Sequence, residues 1–162
     1  MTAVPSPEQQ ISLCMIVRDE AQDIVACLDS ARELVSEMIV VDTGSRDDTV
    51  ALAEAAGARV EHFRWCDDFA AARNVSLSYA TNPWVLVLDA DERLTESSVA
   101  GIRAAVSEGD FVCGLIRLHD ASSLNAAAKD IVSGKARLGE LMFVPRLLKR
   151  TEDLAYEGIV HE

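Results

Sequence analysis

The sequence is short of the residues that mark several protein classes. It has four cysteines, Cys14, Cys27, Cys66 and Cys113, and no two of them form a CxxC pair. That spacing excludes a cysteine-ligated zinc module and argues against a disulfide framework, which points to a reducing compartment. The histidines His62, His119 and His161 are scattered, so no H-x3-H pair offers a zinc site. No apolar run approaches the roughly 20 residues a membrane-spanning helix needs. Residues 1–10 carry neither a base nor an apolar stretch, so no signal peptide is visible. The expectation is a cytoplasmic, soluble protein with no transmembrane segment. Positive charge is also scarce: 15 Lys and Arg face 27 Asp and Glu, a net charge of −12. A chain this acidic is a poor candidate for binding nucleic acid by neutralising phosphates. It can still bind a small phosphorylated ligand where a divalent cation supplies the missing charge. The P-loop signature and the G-x-G-x-x-G fingerprint are both missing.

What remains is an ordinary globular composition, 49% apolar and 26% charged, over a one-domain length of 162 residues. Residues 1–10, with Pro5 and Pro7, read as a flexible leader, and residues 11–162 as the domain. Short apolar runs at 11–17, 38–41, 59–63 and 84–88 predict strands. Helical spacing falls between them at 20–35, 48–56 and 68–80. A helix over 96–106, a strand over 111–118 and a strand over 140–148 follow. Pro145 argues that the last of these lies at a sheet edge. Residues 121–138 are weakly periodic, and 154–160 read as one more short strand. Cys14 and Cys113 lie in apolar runs and read as small buried hydrophobes. Strands alternating with helices predict a mainly parallel α/β sheet. In such sheets ligands bind beyond the carboxyl ends of the strands. Three polar clusters fall there: Arg18-Asp19-Glu20, residues 42–45, and residues 89–92.

Asp89-Ala90-Asp91 ends an apolar strand with two carboxylates two residues apart. Mg²⁺ takes one or two carboxylates and completes its shell with substrate phosphates and water. The other reading is an acidic turn entering a helix. Asp42, beside Thr43-Gly44-Ser45, either accepts hydrogen bonds from a nucleobase or caps a turn, and Gly44 permits close approach of a ligand. Arg73 either contacts a pyrophosphate, pairs with a strand-end carboxylate, or forms an ordinary surface ion pair. From residue 129 to 150 six bases face two acids, the one basic stretch of the chain. It either places positive charge near a diphosphate or is a solvated face.

Taken in order, ISLCMIVRDE, MIVVDTGSRDDT, WCDDFAAARN, WVLVLDADE and YEGIVHE resemble the family 2 glycosyltransferases of the GT-A fold. The likeness is greatest to a bacterial subgroup with VDTGS in place of VDDGS, often fused to helical repeats, and it spans residues 11–162. It implies a Rossmann-like three-layer α/β sandwich with a mainly parallel sheet and a short mixed C-terminal part. It also implies transfer of a hexose from a nucleotide-sugar such as a UDP-sugar to an acceptor hydroxyl, with inversion and with Mn²⁺ or Mg²⁺. The acceptor is left open: a saccharide, a lipid-linked sugar or a protein. By this resemblance Val17, Arg18, Glu20, Asp42 and Gly44 line the base, Arg73 approaches the base or diphosphate, and Asp89 and Ala90 face the donor. Asp91, with Asp89 and His161, holds the metal, and Glu162 is the catalytic base. Thr43 stands where the family's second acid usually does. The chain is shorter than most members, which implies that part of the acceptor-binding region is incomplete or supplied elsewhere. Two other readings compete: a non-catalytic nucleotide-sugar-binding module, and a Mg²⁺-dependent phosphatase of the haloacid dehalogenase type. The phosphatase places its paired aspartates near the start of the fold, whereas here they follow the fourth strand and precede Glu92-Arg93.

Overall fold

A computed structural model of the chain describes residues 6–123 and 126–158. Six strands form one sheet: β1 (Ile11–Val17), β2 (Glu37–Asp42), β3 (Arg59–His62), β4 (Trp84–Val87), β5 (Cys113–Leu118) and β6 (Met142–Lys149). The helices are α1 (Ile24–Ala31), α2 (Thr49–Ala55), α3 (Phe69–Tyr79), α4 (Glu96–Glu108) and α5 (Ala128–Val132). The strand order is β3-β2-β1-β4-β6-β5. The first four strands are parallel, and β6 runs antiparallel to both β4 and β5. This is the mainly parallel sheet with a mixed C-terminal part that the sequence predicts. Of the leader, residues 6–10 are described, and Pro7–Gln9 form one turn of 3-10 helix.

The central strands β1, β2 and β4 are buried on both faces, which is why they read as continuous apolar runs rather than alternating ones. Side chains on a strand alternate between faces. Ile11, Leu13, Met15 and Val17 pack with Ile24 and Leu28 of α1, Ala53 of α2, and Ile102 and Val106 of α4. Cys14 points the other way and packs with Ile39, Val85, Val87, Leu148 and Leu77 of α3. The result is three layers, with α3 and the segment around Leu154 and Tyr156 on this second face. Leu13, Leu28, Val40, Val85 and Leu86 have no solvent exposure. Each such side chain contributes roughly 1.5–3 kcal/mol relative to leaving it in water. Asp68 caps α3 by accepting from the Ala71 amide at 2.9 Å, and Thr95 caps α4 by accepting from the Ser98 amide at 3.1 Å.

At the amino edge of the sheet, Glu37 accepts hydrogen bonds from Ser12 and from the Thr81 amide and hydroxyl, tying β1, β2 and the entry to β4 together. Burial raises its proton affinity, but these bonds outweigh it and hold the carboxyl below the usual range. The edge opposite this staple is left free for the polar loops.

Three expectations are corrected. β6 lies between β4 and β5, so Pro145 is not on an edge strand. It is tolerated because β4 pairs only with Leu147–Lys149, so no β4 carbonyl faces the missing N–H. Residues 154–158 join no strand. Cys113 is exposed, because β5 is the outer strand; Cys27, on α1, is the second buried thiol. Burial pushes both Cys14 and Cys27 up to about 12.

Candidate functional site

β2, β1 and β4 are parallel neighbours, so the loops that follow them meet at one edge. The chain moves from β1 outward to β2 and β3, then returns to β4 on the other side of β1. The loops after β1 and β4 therefore diverge and leave a crevice at the point where the strand order reverses.

The β1 and β2 loops are laced together. Thr43 donates through both its amide (2.9 Å) and its hydroxyl (3.0 Å) to the Val17 carbonyl. Asp19 adopts a left-handed backbone (φ 56); its amide donates to Ser45 Oγ at 2.9 Å and its carboxylate accepts from the Arg46 amide at 2.7 Å. The Glu20 amide donates to Thr49 Oγ1 at 2.7 Å, and the Ala21 amide to Asp47 at 3.0 Å. Asp42 is 5% exposed, and its carboxylate accepts from the Gly44 and Ser45 amides, each at 3.1 Å. It caps the turn and not α2. Gly44 sits at φ +114 with nothing within 4 Å of where a Cβ would stand. Only glycine takes this conformation cheaply, and the space above it is open.

The β4 loop carries a charge network. Asp89 accepts from Arg73 Nη2 of α3 at 3.2 Å and from Arg146 Nη2 of β6 at 2.6 Å. Arg146 Nη2 also donates to Glu92 Oε1 at 2.8 Å, and the Asp89 amide donates to Glu92 Oε2 at 3.0 Å. Arg146 reaches this point through a β-bulge. β5 pairs Gly114 with Leu147 but Leu115 with Pro145, so Arg146 is the extra residue and its side chain is re-aimed. Its Nε is buried with no hydrogen-bond partner among the described residues. Burial opposes charge on Asp89, but Arg146 and Arg73 outweigh it and hold the carboxyl below the usual range. On Glu92 burial wins over Arg146, and its proton affinity is raised. Glu20, across the crevice, is raised by burial and then by Asp91, Asp23, Asp47 and Asp89.

Asp91 is exposed and forms no hydrogen bond or ion pair among the described residues. Ala90 is buried, and its carbonyl accepts from Arg93 Nη1 at 2.6 Å. Beside Asp91 and Arg146 a cleft of about 1000 Å³ opens toward α4, with Ile102 and Phe111 among its walls. Its size is that of a ligand pocket.

The structure thus brings Val17, Arg18, Glu20, Asp42, Gly44, Arg73, Asp89, Ala90 and Asp91 to one edge. His161 and Glu162 lie outside the described residues. Among the described residues no group of three His, Cys, Asp or Glu side chains could hold a metal. Both Asp89 oxygens are already paired with arginine, which leaves Asp91 as the open carboxylate. One carboxylate completed by diphosphate oxygens and water is a coordination that Mg²⁺ accepts. Two members of the network carried no individual signal in the sequence. Glu92 was one acid in a cluster, and Arg146 was one of six bases in residues 129–150. Of the others in that stretch, Lys135 pairs with Asp130, Lys149 faces the Gly109 carbonyl and Arg150 the Asn82 carbonyl.

The model of the glycosyl transferase family 2 matches residues 12–156, and the chain belongs to that family. It is 38% identical over 155 residues to a TPR repeat-containing protein of Synechococcus elongatus, covering 94% of this chain and 35% of that one. It is 36% identical over 83 residues to the SPbeta prophage-derived glycosyltransferase SunS of Bacillus subtilis, covering 50% of this chain and 20% of that protein. The chain thus spans about a third or less of the length of these curated relatives. Among solved structures it resembles glucosyl-3-phosphoglycerate synthase from Mycobacterium tuberculosis in complex with Mn²⁺ and UDP-glucose. That likeness has 31% identity and a TM-score of 0.46, over 51% of this chain and 33% of that one.

Proposed function

We propose that the chain binds a nucleotide-sugar, a UDP-hexose, at the carboxyl edge of β2, β1 and β4. It transfers the sugar to an acceptor hydroxyl with inversion. Membership of a glycosyltransferase family supports the class of reaction. The observation that carries the site is the pairing of Asp89 with two arginines beside an exposed Asp91 that has no partner among the described residues.

Each residue then has a physical task. Asp42 accepts the uracil N3–H; its oxygens already hold two turn amides, but a carboxylate offers about four acceptor positions. Gly44, Val17, Arg18 and Glu20 form the floor and rim of the base site. Arg73 and Arg146 keep Asp89 ionised and fixed, so that it meets the donor in one orientation. Asp91, with His161, would hold Mn²⁺ or Mg²⁺, which supplies the positive charge that stabilises the leaving diphosphate. The acceptor enters the cleft toward α4. Its hydroxyl oxygen attacks the anomeric carbon as the bond to the diphosphate breaks, and Glu162 takes the hydroxyl proton. The net charge of −12 repels a free nucleotide-sugar, so the cation is also needed for association. The cysteine spacing favours a cytoplasmic setting, and no described helix is long and apolar enough to cross a membrane.

The test is thermal unfolding with a panel of nucleotides and nucleotide-sugars in Mn²⁺, followed by assay of UDP release. Ligands that bind the native state raise its apparent stability. UDP and UDP-hexoses should stabilise the protein, and UDP-hexose should be turned over to UDP. If no nucleotide stabilises it, the donor site is wrong. Stabilisation without UDP release would make the chain a binding module.

A further inference from the structure

α3 presents two adjacent side chains that do different things. Arg73 holds Asp89. Asn74 grips a distant stretch of chain: its Nδ2 donates to the Tyr156 carbonyl at 2.9 Å and its Oδ1 accepts from the Tyr156 amide at 2.8 Å. An amide side chain has one acceptor oxygen and a donor NH₂, so this pair reproduces the two bonds a neighbouring strand would make. It does so where residues 154–158 join no strand. Leu154 and Tyr156 pack on the core cluster beneath α3, so the segment is held by both packing and polar bonds. The clamp leaves the Tyr156 ring against the Arg73 guanidinium, 5.7 Å from its centroid.

That contact matters because of how Arg73 is held. Its bond to Asp89 is 3.2 Å, longer than the 2.6 Å bond Arg146 makes to the other oxygen. An arginine arm carries about 2 kcal/mol of rotamer entropy. A ring within about 6 Å of the guanidinium both attracts it and narrows its choices.

We infer that Asn74 is a positioning residue for the Asp89 site: it clamps the Tyr156 backbone on α3, and the clamped ring sets Arg73 against Asp89. The inference rests on the donor-site reading above for its effect on ligand, but not for the clamp itself.

The experiment has two arms. In the first, UDP affinity in Mn²⁺ is measured by titration calorimetry for wild type, Asn74→Ala, Asn74→Asp, Tyr156→Leu, Arg73→Met and the Asn74→Ala/Arg73→Met pair. Removing the outer partner of a metal ligand typically costs about 10–100-fold, and the same scale is taken for Arg73. Asn74→Ala should weaken binding by about ten-fold. Asn74→Asp, which keeps the acceptor for the Tyr156 amide, should lose less. Tyr156→Leu, which removes the ring that faces Arg73, should weaken binding about as much as Asn74→Ala. In the Arg73→Met background Asn74→Ala should change nothing further. Wild-type affinity in Asn74→Ala, or an equal loss with and without Arg73, would overturn the inference. In the second arm, urea unfolding of the same single and double variants without ligand should show non-additive losses. Additive losses would refute the coupling of the clamp to Arg73. A wild type that binds no UDP while the unfolding losses are non-additive would instead refute the donor reading.

Discussion

Replacing Arg146 by methionine removes the group that joins the two acids of the β4 loop while keeping most of the apolar arm. The Arg146 and Glu92 side chains are 10% and 11% exposed, whereas Asp89 is 38% exposed. Without Arg146, Glu92 keeps the Asp89 amide as its one donor among the described residues. Breaking a buried pair by removing one partner costs about 3–5 kcal/mol, because the other charge is stranded. Asp89 is screened by solvent and retains Arg73, so its share is small. The expected loss in Arg146→Met is therefore near the low end, about 3 kcal/mol. Adding Glu92→Gln removes the stranded acid, and the double variant should recover to within about 1 kcal/mol of wild type. Urea unfolding at pH 7 reads both numbers, with the slope unchanged between variants. If Arg146→Met lies within about 0.5 kcal/mol of wild type, or Glu92→Gln rescues nothing, the network is not what holds this loop.

The same network sets the acid limit. Asp89 has a lowered proton affinity in the folded state, so its contribution is present above the unfolded carboxyl pKa of about 3.9 and is lost as pH falls through the folded value. Arg146→Met weakens that hold and should move the loss of stability to higher pH in acid titrations followed by circular dichroism. Gly44→Ala meets no neighbour, so its effect is backbone strain alone, about 1–3 kcal/mol by denaturant unfolding, with UDP affinity reduced in step. A neutral result would mean that φ +114 is not needed there. Asp42→Ala should weaken UDP more than pyrophosphate, by the roughly 1.5–3 kcal/mol of a charged hydrogen bond; equal losses would leave Asp42 as a turn cap only.

The first half of the molecule was legible because β1, β2 and β4 are buried on both faces. Continuous apolar runs that stop at a charged residue then mark both the strand and the edge where its loop emerges, as after Val17, Val41 and Leu88. Arg73 was legible as an inward arginine on an alanine-rich helix, and it is 5% exposed against Asp89. The second half was harder. Pro145 suggested an edge because a sequence does not reveal that β4 stops short of it. Cys113 looked buried because its neighbours are apolar, yet β5 is the outer strand and α4 covers only one of its faces. Arg146 stands 57 residues from Asp89, and its direction depends on a bulge that no local pattern announces. The Asn74–Tyr156 clamp is likewise a contact over 82 residues.

The central claim is that Asp91 presents a cation to the diphosphate of a bound nucleotide. Titration calorimetry of UDP into wild type and Asp91→Asn, each in Mn²⁺ and in EDTA, tests it directly. Wild type should bind at least ten-fold more tightly with Mn²⁺ than with EDTA, a difference of about 1.4 kcal/mol or more. Asp91→Asn should bind alike in both and unfold at the wild-type temperature, since its exposed side chain supports no core. Equal UDP affinity of the wild type in Mn²⁺ and EDTA, or an undiminished metal effect in Asp91→Asn, would contradict the account.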